Sequence, residues 1–220
     1  FVVVIFGLII RLDHAGVTSI VRWLFLAPTC YDTLLNFIRS SAWNLPNLLA
    51  QWAAISLNRY PLMECNGRKV MLGDTTKIGK EAKRMPGVKT LHQESASNSK
   101  AEYIRGHHIG FVGLAVETEH KTFCLPQQGE IHEGLQGLQQ EEELLGKPPT
   151  IVTRMARLAI AAAKRLGCRC YLCLDAYYST GPMFLMCQAA VNEQKEQWLH
   201  VITRAKDNYV AYFPVTEGVR

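Results

Sequence analysis

Apolar and polar positions alternate along the chain in ways that change twice. Residues 1–10, "FVVVIFGLII", are apolar on every side, and Arg11, Asp13 and His14 follow at once. The run is too short to cross a bilayer. It has neither the basic start nor the small-residue cleavage site of a signal peptide. It predicts a buried helix, and the absence of an initiator Met implies that the chain begins inside a longer reading frame. Two short helical patterns come next, 18–26 and 29–39, around a break at Ala27-Pro28. Thr29 is the expected N-cap of the second, with Asp32 in its first turn. Two helices joined by a tight turn fit a helix-turn-helix or an ordinary helical hairpin. Arg22 and Arg39 are the cations there that could meet phosphate.

From residue 61 the pattern is that of strands. Residues 68–74 are an apolar run ending on Asp74, and a polar segment, 75–105, follows. Residues 106–117 and 121–128 predict a hairpin, with Pro126 placing the second strand near an edge. Residues 129–149, with Glu141, Glu142 and Glu143 in a row, predict a solvated loop or helix face. Thr150 to Leu166 is the clearest helix: Ile151, Met155, Leu158, Ala159, Ala162 and Leu166 share a face, and Arg154, Arg157, Lys164 and Arg165 are expected to point away. Thr150 can cap its start and Gly167 its end. Then come a strand ending on Asp175, a helix around 182–192 and a strand at 198–205. This order predicts an α/β fold, a mixed sheet flanked by helices. The expected division is a helical region, 1–60, and a sheet domain, 61–220.

Composition narrows the setting. The 220 residues are 48% hydrophobic and 20% charged, enough for a sizeable core and against global disorder. A net charge of +5 makes nucleic acid a candidate partner without proving it. Seven cysteines, an odd number mostly in apolar runs, fit buried thiols in a reducing cytoplasm better than a disulfide scaffold. No membrane partner is expected.

The chemistry centres on two matching phrases. "VMLGD" and "YLCLD" are apolar strands that end on Asp74 and Asp175, 101 residues apart. If those strands are neighbours, the carboxylates stand together, repel one another, and call for a cation between them. Hard oxygen ligands suit Mg²⁺ or Mn²⁺. A metal pair held this way activates water and stabilises the leaving oxygen in phosphoryl transfer. Lys77, Lys80, Lys83, Arg84 and Lys89 follow Asp74 and could hold a phosphate backbone, although charge runs are commonly just solvated loops. "GDTTKIGKE" departs from a phosphate-binding P-loop, having five residues between its glycines and Glu81 where Ser or Thr should stand. "GHHIGFVG" has the wrong glycine spacing for a dinucleotide fold. In "CRCYLC", Cys168 and Cys170 face one side of a strand and Cys173 the other, which favours packing over zinc. His107 and His108 also point to opposite faces, so at most one reaches a site near Asp74.

With these residues in view, "LGDTTKIGKEAKRMPGVKTLHQESASNSKAEYIRGHHIGFVGLAV", "YLCLDAYYSTGPMF" and "VITRAKDNYVAYFP" resemble the DDE catalytic domain of bacterial insertion-sequence transposases. The stretch 16–43 is similar to the helical region that precedes it. The resemblance implies a ribonuclease-H-like fold in which Asp74 and Asp175 bind two Mg²⁺ or Mn²⁺ ions. These would activate water for nicking at the element's ends and then the 3′-hydroxyl for strand transfer. His107 or His108 would help to shape the site. The partners implied are element-end and target DNA, with a homodimer on DNA compatible. The resemblance also requires a third carboxylate, a Glu on a helix after the fifth strand. Glu217 comes too early and in a poor helical context, so that acid is expected beyond Arg220 and the chain is expected to be the front part of a transposase, with weakened metal binding and doubtful activity. A non-catalytic DNA-binding remnant, using the 18–39 helices and Lys77–Lys89, and another ribonuclease-H-like nuclease are the alternatives.

Overall fold

The computed structural model describes residues 2–10, 16–42, 44–80, 85–93, 101–132 and 149–210. Lys83, Arg84, Glu141–Glu143 and Glu217 lie outside them. Two compact units are present, Phe1–Asn47 and Leu48–Arg220.

The first unit contains α1 (Val2–Ile10), α2 (Val17–Trp23) and α3 (Cys30–Arg39), and α4 (Leu45–Arg59) crosses into the second. The apolar N-terminal run is a helix, as its pattern predicts, but it is not a buried one: of its residues only Gly7 is buried. The physical reason is that α1 is apolar all round, whereas the close approach at Gly7, where a Cβ would sit 2.4 Å from Ile20 Cγ2, covers a single side. Thr29 precedes α3 but does not cap it. Its backbone is already helical (φ −61°, ψ −20°), because the turn begins earlier, with Cys30 N–H donating to Ala27 O and Tyr31 N–H to Pro28 O. Asp32 does lie in the first turn.

The second unit is an α/β structure built on a mixed sheet. Its strands are β1 (Glu64–Cys65), β2 (Arg68–Gly79), β3 (Lys89–His92), β4 (Tyr103–Glu117), β5 (Thr122–His132), β6 (Cys170–Leu174) and β7 (Leu199–Thr203). The order across the sheet is β3-β4-β2-β6-β7, with β1 on β2 and β5 on β4. The β2–β4 and β4–β5 pairs are antiparallel, and the β2–β6 and β6–β7 pairs are parallel. The predicted hairpin is present, closed at Thr118–Lys121. Among the described residues its second strand pairs with β4 alone, so Pro126, opposite Gly113 beside a bulge, removes no needed donor.

The strand expected to stop at Asp74 runs five residues further, to Gly79. The sequence turns polar there because β6 ends alongside, not because β2 does. Parallel pairing stops at Leu72↔Cys173, while pairing to β4 continues to Gly79↔Gly106. Within the polar segment a short β3 forms, and β5 extends to His132.

α5 (Ile151–Leu166) covers the sheet. Thr150 Oγ1 accepts from Thr153 N–H at 3.2 Å and Thr153 Oγ1 from Thr150 N–H at 2.9 Å, while Gly167 ends the helix at φ 64°. Met155, Ala156, Ala159 and Ala163 are fully buried, and the short alanines let the helix lie close to the strands. Gly73 completes this fit: a Cβ on it would stand 2.7 Å from Leu174 Cδ2 and 3.1 Å from Met155 Sδ. Arg154 is not directed away as its place in the pattern predicts. It is buried, with its guanidinium 3.8 Å from Glu130 on β5. A short 3₁₀ turn (Ala176–Tyr178) and α6 (Gly181–Ala189) lead to β7. Cys170 and Cys187 are buried, Cys168 Sγ lies 3.9 Å from Cys170 Sγ, and Cys65 and Cys124 are exposed, contrary to a uniformly buried set. Among the described residues no helix is long and apolar enough to cross a membrane.

Met155 sits between Gly73 and Gly110, so Met155→Ala should leave a cavity that backbone cannot fill. The expected cost is about 2–5 kcal/mol, read as a lower urea midpoint at unchanged m; a loss under about 1 kcal/mol would show that α5 packs loosely there.

Candidate functional site

The β2–β6 register carries the site. Lys69 pairs with Cys170 and Leu72 with Cys173, an offset of 101 residues that also relates Asp74 to Asp175. Asp175 lies one residue past β6 and keeps an extended backbone (φ −73°, ψ 173°), so it continues that register. Neighbouring strands run about 4.8 Å apart, which brings the two aspartates level with one another on adjacent backbones. Both line one open cleft of about 910 Å³.

Each carboxylate is held by a local backbone donor. Asp74 Oδ1 accepts from Thr75 N–H at 2.7 Å, and Asp175 Oδ1 accepts from Tyr177 N–H at 3.1 Å, capping the 3₁₀ turn. The main chain of Asp175 is tied down as well, its carbonyl accepting from Thr203 Oγ1 at 2.7 Å. Successive residues Asp74, Thr75, Thr76 and Lys77 all line the cleft although side chains alternate along a strand. They can do so because β2 has lost β6 at this level and the cleft wraps its open edge.

Tyr178 is the residue of this site that sequence reasoning misses. It is 1% exposed and lines the cleft beside both aspartates. Burial pushes its phenol up to about 12, and the Asp74 and Asp175 charges push the same way. Thr75 acts in the opposite direction, and the hydroxyl is buried without a hydrogen-bond partner. The available signal was the aromatic pair directly after the strand-end carboxylate in "LDAYY". Tyr177, the other member, is exposed at the cleft, with Lys206 Nζ 6.0 Å from its ring centroid.

The predicted basic stretch divides. Lys77 and Lys89 line the cleft, and Lys77 Nζ donates to His92 O at 2.7 Å. Lys80 lies just beyond β2, its backbone N–H donating to Arg105 O, and does not line the cleft. Of the two adjacent histidines, His108 lines the cleft, whereas His107 Nε2 hydrogen-bonds Pro86 O at 3.0 Å. Arg22 lies in the last turn of α2 and Arg39 ends α3, both in the first unit.

The donor set at Asp74 and Asp175 is hard oxygen, level on adjacent strands and open to solvent, and it fits a divalent cation of the Mg²⁺ or Mn²⁺ kind. Among the described residues no group of three or more His, Cys, Asp or Glu side chains is arranged around a single point. Comparison with protein-family models, curated proteins and solved structures finds no match.

The raised Tyr178 pKa has a consequence for stability. The unfolded chain releases this proton near the ordinary phenol value of about 10, whereas the folded chain keeps it to about 12. The stabilisation is complete below pH 10 and is lost as pH rises through 12. Wild type should therefore lose about 2–3 kcal/mol more than Tyr178→Phe across that window, measured by urea unfolding at each pH. Parallel losses in the two proteins would place the phenol in water.

Proposed function

We propose that the chain carries the ribonuclease-H-like catalytic domain of a DDE-type DNA transposase, acting on DNA phosphodiesters in the cytoplasm. The observation that supports this best is the in-register placement of Asp74 and Asp175 on neighbouring parallel strands at one cleft. The order of elements adds support: three antiparallel strands, then a helix, then two parallel strands on the far side of the first.

In this reading Asp74 and Asp175 hold Mg²⁺ or Mn²⁺, which when bound supplies an activated oxygen nucleophile and stabilises the leaving oxygen. The residues of the chain do the rest. The backbone N–H groups of Thr75 and Tyr177 fix one oxygen of each carboxylate and leave the other to a ligand. Thr203 holds the Asp175 main chain at the end of β6, level with Asp74. Tyr178, kept protonated by burial, offers a hydroxyl donor in the same wall. Lys77 and Lys89 supply counter-charge for a phosphate backbone. Arg22 and Arg39 are assigned to element-end DNA, and a homodimer on DNA would pair two such ends. The reading requires a third carboxylate beside Asp74 and Asp175.

With Mn²⁺ and DNA carrying the element's ends, a protein that contains this chain and the third carboxylate should nick or cleave at those ends. Asp175→Asn should lower the rate by at least about a hundredfold, in line with the loss of one strong charge-stabilising group. Cleavage by Asp175→Asn equal to wild type would overturn the assignment. Salt-dependent DNA binding with no cleavage under any divalent metal would assign a non-catalytic DNA-binding protein instead.

A further inference from the structure

One end of the cleft is unlike the aspartate end. Strand register places a row of three side chains on the α5 face of the sheet: Lys77 on β2 pairs with His108 on β4, which pairs with His132 on β5. Residues directly opposite in antiparallel strands share a face. Lys89 on β3, opposite Gly106, stands one step along on that same face. Lys77, Lys89 and His108 all line the cleft, as does Ile151 at the start of α5. That helix start lies over the next row inward, with Met155 beside Gly110 and Arg154 beside Glu130. Its dipole adds positive potential at the same end.

His108 is the informative member. It is 5% exposed, and its Nε2 is buried without a hydrogen-bond partner. Its ring stacks edge-on to His132, centroids 5.1 Å apart, and both nitrogens of His132 are likewise without partners. A buried polar nitrogen in the wall of a cleft costs free energy unless something is bound there. Gly110, in the next row, has no side chain, and His132 lies against it: a Cβ there would stand 2.9 Å from His132 Nε2.

We infer that Lys77, Lys89 and His108 form a phosphate subsite that takes a backbone phosphodiester of duplex DNA, and does so without metal. The inference rests on the DNA reading above and names the part of the substrate that this end of the cleft would hold. The two lysines supply charge, and the buried imidazole Nε2 supplies a directed hydrogen bond to a phosphate oxygen. Electrostatics agree. Burial first, then the charges of Lys89 and Lys77, push His108 down, so it is neutral near pH 7. Burial and then Arg154 push Lys89 down. His132 is lowered to about 4 by burial, then by His108, Arg154 and Lys89. Positive groups here work against one another, and Glu130, paired with Arg154, faces them from β5. An anion at this point relieves that repulsion.

The test is equilibrium binding of a short DNA duplex to the whole chain in EDTA, at several salt concentrations, with circular dichroism to confirm folding of each variant. Lys89→Gln and Lys77→Gln should each weaken binding and lower the slope of log K against log salt by about one. His108→Gln should weaken binding about tenfold and leave the slope unchanged, because a neutral ring releases no counterion. Lys121→Gln, in the β4–β5 turn, should change neither. Inorganic phosphate should compete with the duplex in wild type and lose that ability in Lys89→Gln. Unchanged affinity in both lysine variants overturns the subsite, as does a His108→Gln protein that binds like wild type. Phosphate binding that depends on these residues with no binding of DNA overturns the duplex as ligand. Asp175→Asn separates the two proposals. It should bind the duplex in EDTA at least as well as wild type, so failure of the subsite leaves the metal-dependent cleavage test standing, and the reverse holds too.

Discussion

The parallel pairing of β2 with β6 is the constraint on which the rest depends. Four residue pairs, Lys69↔Cys170 to Leu72↔Cys173, set an offset that no local feature of either strand could set. A slip of one residue would turn every side chain of β6 to the other face. It would also move Asp175 away from Asp74. The packing on one face prevents this slip: Met71, Leu172 and Leu174 are buried against α5, and Gly73 leaves the space that Leu174 and Met155 occupy. The core and the site are therefore joined at a single dipeptide, Gly73-Asp74. The glycine secures the register, and the aspartate beside it uses it.

What happens beyond Leu72 follows from β6 being short. β2 continues for seven residues that, among the described residues, are paired only with β4, and its other edge becomes a wall of the cleft. The wall changes character along its length. Near the end of β6 it presents carboxylates, and further out, toward β3, it presents Lys77, Lys89 and His108. A site that places anionic oxygens beside cations suits a ligand that is itself divided, a metal ion at one end and a phosphate at the other.

Much of this was legible in the sequence because it is written locally. α5 announces itself by its 3.6-residue apolar stripe, Thr150 before it and Gly167 after it. The hairpin shows in two apolar runs around a charged turn, and the Asp74 and Asp175 phrases match. The misses share a physical cause. Arg154 has the look of a solvent-facing residue, and its burial depends on Glu130, which the fold brings over from β5. β2 seemed to stop at Asp74 because polarity reports which face is covered, not where backbone pairing ends. β3 has four residues and one paired neighbour, too little pattern to stand out from a polar segment. Tyr178 carries no pattern of its own in the sequence, and only the 3₁₀ turn capped by Asp175 tucks it into the wall of the cleft that both carboxylates line. α1 was legible as a helix, but the extent of its cover was not, since that depends on partners beyond its own residues.

In the proposed function Asp74 and Asp175 act as one cation site, which can be read from a double-mutant cycle on Mn²⁺ binding to the folded chain, followed by electron paramagnetic resonance. Each of Asp74→Asn and Asp175→Asn should weaken Mn²⁺ by at least about tenfold, ~1.4 kcal/mol, and the double variant should bind no worse than the weaker single one, the non-additivity of groups that share a ligand. Two single losses that simply add, or Mn²⁺ affinity indifferent to either aspartate, would show that the two carboxylates do not share a cation.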